Sequence, residues 1–188
     1  MKNLFTRAAT TALTGLAIFS FASAAFAGAK VSDESAHVRL AQAVIDAGVR
    51  VYINHDYCHR DHGEGTLYGF YSGEARAMLI CPENADKGDR GTEWTEEDYD
   101  TLRHEAVHLV QDCMDGKLDH QLQAFTKDPV QTGLELLGPA DMIKIQEIYL
   151  ARGQSQHVVR MEWEAFGIAA LNKPELQVNM SKTFCEVK

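Results

Sequence analysis

The sequence predicts an α+β fold, in which a small antiparallel sheet built around a hairpin packs on a central helix and further helices follow toward the C-terminus. Two observations carry this prediction. Segments 66–71 and 74–81 have strand-like composition and lie on either side of the turn pair Ser72-Gly73. Apolar residues then recur at helical spacing through much of the C-terminal half of the chain.

Segment 1–27 is typical of a secretory signal peptide. Lys2 and Arg7 give a positively charged start, the following stretch to residue 26 carries no charge, and an A-x-A cleavage site ends at Ala27. A membrane anchor is the alternative, but the segment is short and threonines interrupt it. We expect one exported domain, residues 28–188, that is periplasmic or secreted and does not stay inserted in a membrane.

The chain is acidic, with a formal net charge of −9. Loss of segment 1–27, which holds basic but no acidic residues, would make the remaining domain more acidic still. A negatively charged protein is a poor partner for nucleic acid and for anionic lipid, because both repel it. We therefore expect neither as a partner and attribute the charge to solubility.

The cysteines at positions 58, 81, 113 and 185 all lie in the part expected to be exported, where disulfides persist. They allow three pairings. We favour Cys58–Cys81, which would close a local loop around the hairpin, together with Cys113–Cys185, which would tie the C-terminal tail to the central helix. A four-cysteine zinc site is less favoured, because the chain has no C-x-x-C pair.

The first part of the domain is predicted to hold one helix and one strand. Residues 33–47 have helical spacing and are followed by Gly48, and residues 49–53 alternate like a strand. Polar loops are expected at 55–65 and at 82–93. The helical residues expected to face the core are Val38, Ala41, Val44 and Ile45.

The central helix has a defined start and end in the sequence. Thr95 can cap it, with Asp98 three residues later as the acidic partner of a capping box. The helix should run to about Met114 and end near Gly116. The residues expected to bury its apolar sides are Leu102, Ala106, Leu109, Val110 and Cys113.

The segment after the central helix is predicted to be mainly helical. Residues 117–140 contain turn signals and suggest short helical pieces. Two longer helices, 140–152 and 156–172, are predicted on either side of Gly153.

The central helix carries the string His104-Glu105-Ala106-Val107-His108, a complete H-E-x-x-H. Two imidazoles four residues apart lie on one face of a helix, one turn apart, so both can bind one Zn²⁺ at about 2.0–2.1 Å. Glu105 can then accept a proton from a water that the metal activates. One short string thus supplies two metal ligands and a general base.

A catalytic zinc site needs a third protein ligand beside the two histidines. The metzincin spacing is absent, because Gln111 and Met114 stand where its glycine and third histidine would be. Glu162 and Glu164, on a predicted downstream helix, are the candidates. We favour Glu162, because it shares a small apolar face, whereas Glu164 shares its face with charged residues. The face of Glu162 contains Val158, Ala165 and Ala169, and that of Glu164 contains His157, Arg160 and Leu171.

With a downstream glutamate as third ligand, residues 66–170 resemble the gluzincin metallopeptidases, the H-E-x-x-H plus Glu class of zincins. The prenyl-protein-processing members of that class often show E-x-x-A-D at the third ligand. Glu162-Trp163-Glu164-Ala165 matches its first four positions, but Phe166 stands in place of Asp. That Asp orients a ligand histidine. Asp112 or a backbone carbonyl could substitute for it.

The resemblance implies a compact, single-domain, zincin-like peptidase that holds one Zn²⁺ through His104, His108 and Glu162. It implies that Glu105 is the general base and that a monomer acts on a peptide or protein substrate. Segment 74–81 is the counterpart of the edge strand that pairs with an extended substrate in zincins.

The sequence leaves two candidates, Tyr149 and His157, for the residue that would stabilise an oxyanion. A purely structural role is the alternative for each.

The sequence also leaves alternative functions. Because the Asp that would orient a ligand histidine is missing, the alternative to an enzyme is a catalytically silent zincin-like domain that acts as an envelope interaction module. A further alternative is an exported disulfide-linked protein whose motif is accidental.

Segment 55–62 contains three histidines and two aspartates. It could form a second metal site, but its spacing follows no common metal motif, so we favour a polar loop pinned by a Cys58 disulfide. His37 and His120 are expected at the surface.

Overall fold

The computed structural model describes residues 34–60, 66–84 and 93–185. Within these ranges the order of elements is α1 (Glu34–Asp46), β1 (Arg50–Ile53), β2 (Gly69–Ser72), β3 (Ala77–Ile80), α2 (Glu96–Cys113), α3 (Pro129–Leu136), α4 (Pro139–Ala151), α5 (Gln156–Ala170) and α6 (Pro174–Phe184). The α+β class is confirmed. The predicted signal peptide with its cleavage site, His62 and most of the 82–93 loop lie outside the described residues.

The three described strands form one sheet in the order β1-β3-β2. β2 pairs antiparallel with β3, with Tyr71 opposite Met78, which confirms the predicted hairpin with a turn longer than Ser72-Gly73. β1 pairs with β3 in parallel, so the prediction of an entirely antiparallel sheet is wrong. Alternation along β1 indicates a strand but not its partner, and the connection between β1 and β3 is long enough for the crossover that parallel pairing needs.

β3 lies in the centre of the sheet, which overturns the expectation that segment 74–81 offers a free edge. Its backbone pairs with β1 on one side and with β2 on the other. The edges of the described sheet therefore belong to β1 and β2. Of these two strands, β2 is the one that packs on α2.

Other elements enclose α2. It contacts α1, β2, β3, α5 and α6, and every residue from Thr101 to Cys113 is buried, including all five that were expected to face the core. The predicted capping box forms: the Thr95 hydroxyl accepts from the Asp98 backbone N–H at 3.4 Å, and the Asp98 carboxylate accepts from the Thr95 N–H at 2.6 Å. Because α2 is buried on all sides, its polar side chains need partners from neighbouring elements.

α1 buries only part of the face that was predicted: Val44 is buried and Ala41 packs against the core. Val38 and Ile45 are 63% and 48% exposed. His37, expected at the surface, is buried: its ring packs on Tyr99, and Arg103 Nη1 donates to its Nε2 at 2.8 Å. Hydrophobic spacing alone missed this polar contact. The residues of α1 that face the core are Ala36, His37, Leu40, Ala43 and Val44.

α6 is a helix that the sequence analysis did not predict. It packs on α1 and α2. Buried hydrogen bonds tie these elements together: Gln177 Nε2 donates to the Arg103 backbone carbonyl at 3.3 Å, and Arg103 Nε donates to the Ala169 carbonyl at 3.0 Å. α2 is thereby joined to both α5 and α6.

Both favoured disulfides are present, Cys58–Cys81 beside the hairpin and Cys113–Cys185 between the end of α2 and the end of α6. Two disulfides are typical of a protein from an oxidising compartment. In the part of the chain that the structure describes, no helix has the length and apolar character needed to span a membrane.

Loss of either disulfide should lower the free energy of unfolding, and loss of Cys113–Cys185 should lower it more. Its sequence separation is 72, against 23 for Cys58–Cys81. A longer closed loop removes more entropy from the unfolded chain, by about 3–4 kcal/mol for the shorter loop and about 1 kcal/mol more for the longer. Urea unfolding of the two double Cys→Ala variants measures both losses, and a smaller loss for Cys113→Ala with Cys185→Ala would contradict this order.

Candidate metal centre

Two helices bring the candidate ligands together. α2 carries His104 and His108, and α5, which begins after the Ser155 cap, carries Glu162. α5 packs on α2, where the small side chain of Ala165 is fully buried. A small face lets the two backbones approach closely, so a carboxylate on α5 can reach imidazoles on α2.

The three side chains meet through their ligand atoms. His104 Nε2 lies 2.9 Å from His108 Nε2 and 3.2 Å from Glu162 Oε2, and His108 Nε2 lies 3.4 Å from Glu162 Oε1. All three residues are buried. Within the described ranges they form the cluster of metal-ligating side chains that could hold a metal ion. The structure thus brings together the three residues that the sequence singled out.

The chemistry of this cluster fits a metal ion. A tetrahedral site with bonds of about 2.0–2.1 Å has ligand atoms about 3.3–3.4 Å apart, close to the separations between these donor atoms. The Glu162 carboxylate is fully buried, and its two oxygens face the imidazole nitrogens of His104 and His108. A buried carboxylate is costly unless a positive charge or hydrogen-bond donors compensate it. Two imidazole nitrogens and a carboxylate oxygen are ligands that divalent transition-metal ions accept.

Glu105 lies beside the cluster, on the same helix. It is fully buried, it makes no hydrogen bond to another described side chain, and the backbone of Tyr71 on β2 lies close enough to lower its pKa. The backbone of β2 passes directly over it: a Cβ placed on Gly69 would lie 3.0 Å from Glu105 Oε1 and 2.4 Å from Thr101 Cγ2. Only glycine at position 69 permits this approach.

Burial and charge act in opposite directions on the pKa values of His108 and Glu162. Burial lowers the pKa of His108, but the neighbouring Glu162 carboxylate outweighs burial and raises it to about 9. Burial raises the pKa of Glu162, but the two histidines outweigh burial and lower it to about 2. In the metal-free protein these groups therefore form a buried ion pair.

The other two groups of the H-E-x-x-H motif are held neutral. Burial lowers the pKa of His104, which keeps its imidazole uncharged. Burial raises the pKa of Glu105 to about 8, with the charge of His108 opposing the shift and that of Glu162 adding to it. A bound cation would lower the pKa of Glu105, since a nearby positive charge favours the carboxylate.

Gln111 holds the ring of His108. His108 Nδ1 donates to Gln111 Oε1 at 2.8 Å. Asp112, considered for this role, is engaged elsewhere, because its Oδ2 accepts from the Tyr71 hydroxyl at 2.7 Å. A Cβ on Gly73, in the turn after β2, would lie 1.8 Å from the same oxygen, so the hairpin turn passes close to Asp112.

Phe166 stands at the position where the E-x-x-A-D pattern has its Asp. Its ring packs on the ring of His104, with centroids 4.2 Å apart. His104 Nδ1 has no hydrogen-bond partner among the described residues. An aromatic contact, and not a carboxylate, therefore supports this imidazole.

Glu164 lies behind the cluster rather than in it. It is fully buried, so the expectation of a charged, solvated face is wrong. Its carboxylate accepts from the Thr126 backbone N–H at 2.9 Å, the Phe125 N–H at 3.3 Å, the Thr126 hydroxyl and Gln111 Nε2 at 3.0 Å. Sequence reasoning missed this role because the donors lie in a loop almost forty residues away, with no local pattern to reveal them.

Of the two candidates for oxyanion stabilisation, Tyr149 faces the cluster. Its side chain is fully buried, and its hydroxyl lies beside the Glu162 carboxylate. Burial, together with the nearby carboxylates of Glu162 and Glu105, raises the pKa of Tyr149 well above its ordinary value. His157 Nε2 instead donates to the Leu122 carbonyl at 2.8 Å, so its ring holds the loop after α2.

The remaining histidines have local partners. His55 Nδ1 accepts from the Tyr57 N–H at 3.2 Å, and His59 Nε2 lies 3.6 Å from Glu83 Oε2 at the surface. These contacts agree with a polar loop, as far as that loop is described. His120 is half-buried rather than at the surface, and its Nδ1 accepts from the Gly73 N–H at 3.5 Å.

The fold and the site define an α+β protein with a buried cluster of two histidines and one glutamate that could bind a metal ion. Residues 30–185 match the model of a family described as a domain of unknown function, DUF8637, and the chain belongs to this family. No curated protein and no solved structure gives a significant match.

In the metal-free protein, a rise in pH from 7 to 9 should lower the free energy of unfolding. The folded state keeps protons on His108 and Glu105, whose pKa values are raised to about 9 and about 8 from 6.5 and 4.5. The unfolded chain has already released them, so the stability they carry is lost as pH rises through the folded values. One proton corresponds to about 1.4 kcal/mol per pH unit, and we expect a loss of about 1–3 kcal/mol.

Urea unfolding in EDTA at pH 7, 8 and 9 measures this dependence. Glu105→Gln is the matched control, because it removes one of the two titrations and should reduce the slope while keeping the shape of the side chain. A free energy of unfolding that is constant or rises over this range would contradict the expected protonation.

Proposed function

We propose that this protein is an exported zinc-dependent peptidase with a zincin-like fold of the gluzincin type. The observation that carries the proposal is the meeting of His104, His108 and Glu162 around one point, with Glu105 beside them. The disulfides support export, because they persist in oxidising compartments.

Zinc is the metal that this cluster suits best. Catalytic zinc sites use three protein ligands, and two histidines with one glutamate are a known set. When bound, zinc would act as a Lewis acid that lowers the pKa of water and polarises the carbonyl of a peptide bond. The cluster contributes three donor atoms and so leaves a fourth tetrahedral position free.

Glu105 is the general base and acid of the proposed reaction. Its carboxylate makes no hydrogen bond to another described side chain, so it can accept a proton from the attacking water. It can later donate that proton to the leaving amine. Gly69 keeps the backbone of β2 close to this carboxylate and limits its movement.

Tyr149 is the proposed donor to the developing oxyanion. Its raised pKa keeps the hydroxyl protonated, as a hydrogen-bond donor must be. The hydroxyl is buried beside the Glu162 carboxylate of the cluster. A donor that is already desolvated requires little reorganisation when charge develops beside it.

β2 is the strand that we propose for substrate binding, in place of β3. Its residues Gly69–Ser72 pair with β3 on one side and make no backbone–backbone hydrogen bond to another described segment on the other. An extended peptide could add to this edge and pass close to Glu105.

A catalytically silent metal-binding domain, acting as an envelope interaction module, is the second candidate. The nearly complete burial of His104, His108, Glu162 and Glu105 favours it, because a hydrolase must admit water and substrate to these groups. A metal in such a site would stabilise the fold, as structural metals do. The two candidates differ in whether the zinc-loaded protein hydrolyses peptides.

The purified protein, with its disulfides intact, should contain about one zinc per chain by elemental analysis, since one cluster offers one set of donors. Glu162→Gln should lose this zinc, because it removes the only anionic ligand of the described cluster. No zinc in the wild-type protein after refolding with zinc would reject the metal site and with it both candidate functions.

Glu105→Gln should retain zinc and reduce peptide hydrolysis by about 100-fold or more, because it removes the general base but no ligand. Hydrolysis of a mixed peptide library and zinc content are measured on the same preparations. Hydrolysis that persists in Glu105→Gln would remove Glu105 from this role. Zinc without hydrolysis in the wild-type protein would favour the silent domain.

Tyr149→Phe should lower kcat by about 100-fold and leave zinc content and KM nearly unchanged, because an oxyanion donor acts mainly in the transition state. Steady-state kinetics with a peptide identified from the library measures the split. His157→Gln is the comparison variant, since His157 binds the Leu122 carbonyl away from the cluster and should change kcat little. Equal losses in both variants would assign Tyr149 a structural role.

A further inference from the structure

Directly behind the candidate metal centre lies a second line of buried polar groups. His108 Nδ1 and Gln111 Oε1 are 2.8 Å apart, and Gln111 Nε2 and Glu164 Oε2 are 3.0 Å apart. Gln111 and Glu164 have no exposed surface. Bulk water therefore cannot replace either partner, and each group depends on the next.

The surroundings fix the orientation of the Gln111 amide. Its Nε2 faces two groups that only accept hydrogen bonds, the Glu164 carboxylate and the Met161 backbone carbonyl, the latter at 2.9 Å. A flipped amide would place its oxygen against both acceptors. Oε1 must therefore point toward His108.

An oxygen at this position determines which nitrogen of His108 carries the proton. Gln111 Oε1 accepts only, so His108 Nδ1 must donate and hold a hydrogen. In the neutral imidazole, Nε2 then presents its lone pair, and Nε2 is the atom that faces His104 and Glu162. A ring nitrogen that donates in this way also makes the other nitrogen a stronger metal ligand.

Glu164 is itself firmly held. Two backbone N–H groups and one hydroxyl, from Phe125 and Thr126, donate to its carboxylate. These donors contact Oε1 and Oε2, and Oε2 also accepts from Gln111 Nε2. The loop at 125–126 therefore fixes the position of the Glu164 carboxylate, and this carboxylate fixes the Gln111 amide.

We propose that Gln111 and Glu164 form a relay that sets the tautomer of His108 for metal binding. This inference rests on the metal site of the proposed function and deepens it. Both are positioning residues, because neither touches the metal or a substrate.

The relay also means that α5 acts on both ring nitrogens of His108, on one directly and on the other through Gln111. Glu162 approaches His108 at Nε2, and Glu164, two residues further along α5, acts through Gln111 on Nδ1. Any shift of α5 against α2 would therefore alter both nitrogens of the same ring together.

Gln111→Met tests the relay, since methionine has a similar length but cannot accept from His108. The zinc dissociation constant, measured by competition with a chromogenic chelator, should rise about 10–100-fold. In zinc-loaded protein labelled with ¹⁵N-histidine, the Nδ1–H signal of His108 should be single and slowly exchanging in the wild type and broadened in the variant.

The matched control is Gln177→Met. Gln177 is also a fully buried amide next to α2, but it donates to the Arg103 carbonyl and does not contact the cluster. It should lower stability while leaving zinc affinity and the His108 signal unchanged. An equal loss of zinc affinity in both variants would mean that burial of a glutamine, and not the relay, is responsible.

Glu164→Gln is the second test variant and keeps the size of the side chain if Gln111→Met fails to fold. Its new amide N–H₂ must face either the Thr126 N–H or the Gln111 amide, so we expect zinc affinity to fall about 10-fold. Zinc affinity within about threefold of the wild type in folded Gln111→Met or Glu164→Gln would overturn the relay, as would a wild-type protein that binds no zinc.

These outcomes separate the relay from the proposed peptidase. If wild-type protein binds zinc and hydrolyses peptides while Gln111→Met keeps full zinc affinity, the relay alone is rejected. If Gln111→Met loses zinc affinity but the wild-type protein hydrolyses nothing, the relay stands and the peptidase is rejected.

Discussion

The structure depends on the burial of α2 from Thr101 to Cys113. A buried stretch of helix cannot leave charged or polar side chains to water, so these side chains need partners. Arg103 contacts His37 on α1 and a carbonyl of α5, Gln111 contacts Glu164 on α5, and Asp112 contacts Tyr71 on β2. These contacts place three elements around the helix. At the candidate metal centre the two histidines of α2 meet Glu162, and a bound cation would complete the pairing of these groups.

The features that the sequence predicted are those with a short-range cause. The capping box of Thr95 and Asp98, the facing histidines and the hairpin all arise from spacings of a few residues. The position of Glu162 followed from the small residues that share its helix face, which is also local information. Both disulfide pairings were recovered because only three arrangements exist and each favoured pair joins predicted neighbours.

The features that escaped prediction depend on contacts between distant segments. The inward face of α1 is set by the contact between His37 and Arg103, sixty-six residues apart, and the role of Glu164 by a loop thirty-eight residues earlier. Periodicity reports which residues share a face but not what that face meets. For the same reason β1 could be recognised as a strand, while its parallel partner β3 could not.

Two glycines, one on β2 and one in the turn after it, limit how the hairpin can align with α2. Gly69, Tyr71 and Gly73 lie on the side of the hairpin that meets the helix. Thr101 and Glu105 lie against Gly69, and Asp112 lies against Tyr71 and Gly73. A slip of one residue would turn Phe70 and Ser72 toward the helix instead. Insertions or deletions in this short strand therefore act on the chemistry of the site directly, even though the strand supplies none of the metal-ligating side chains.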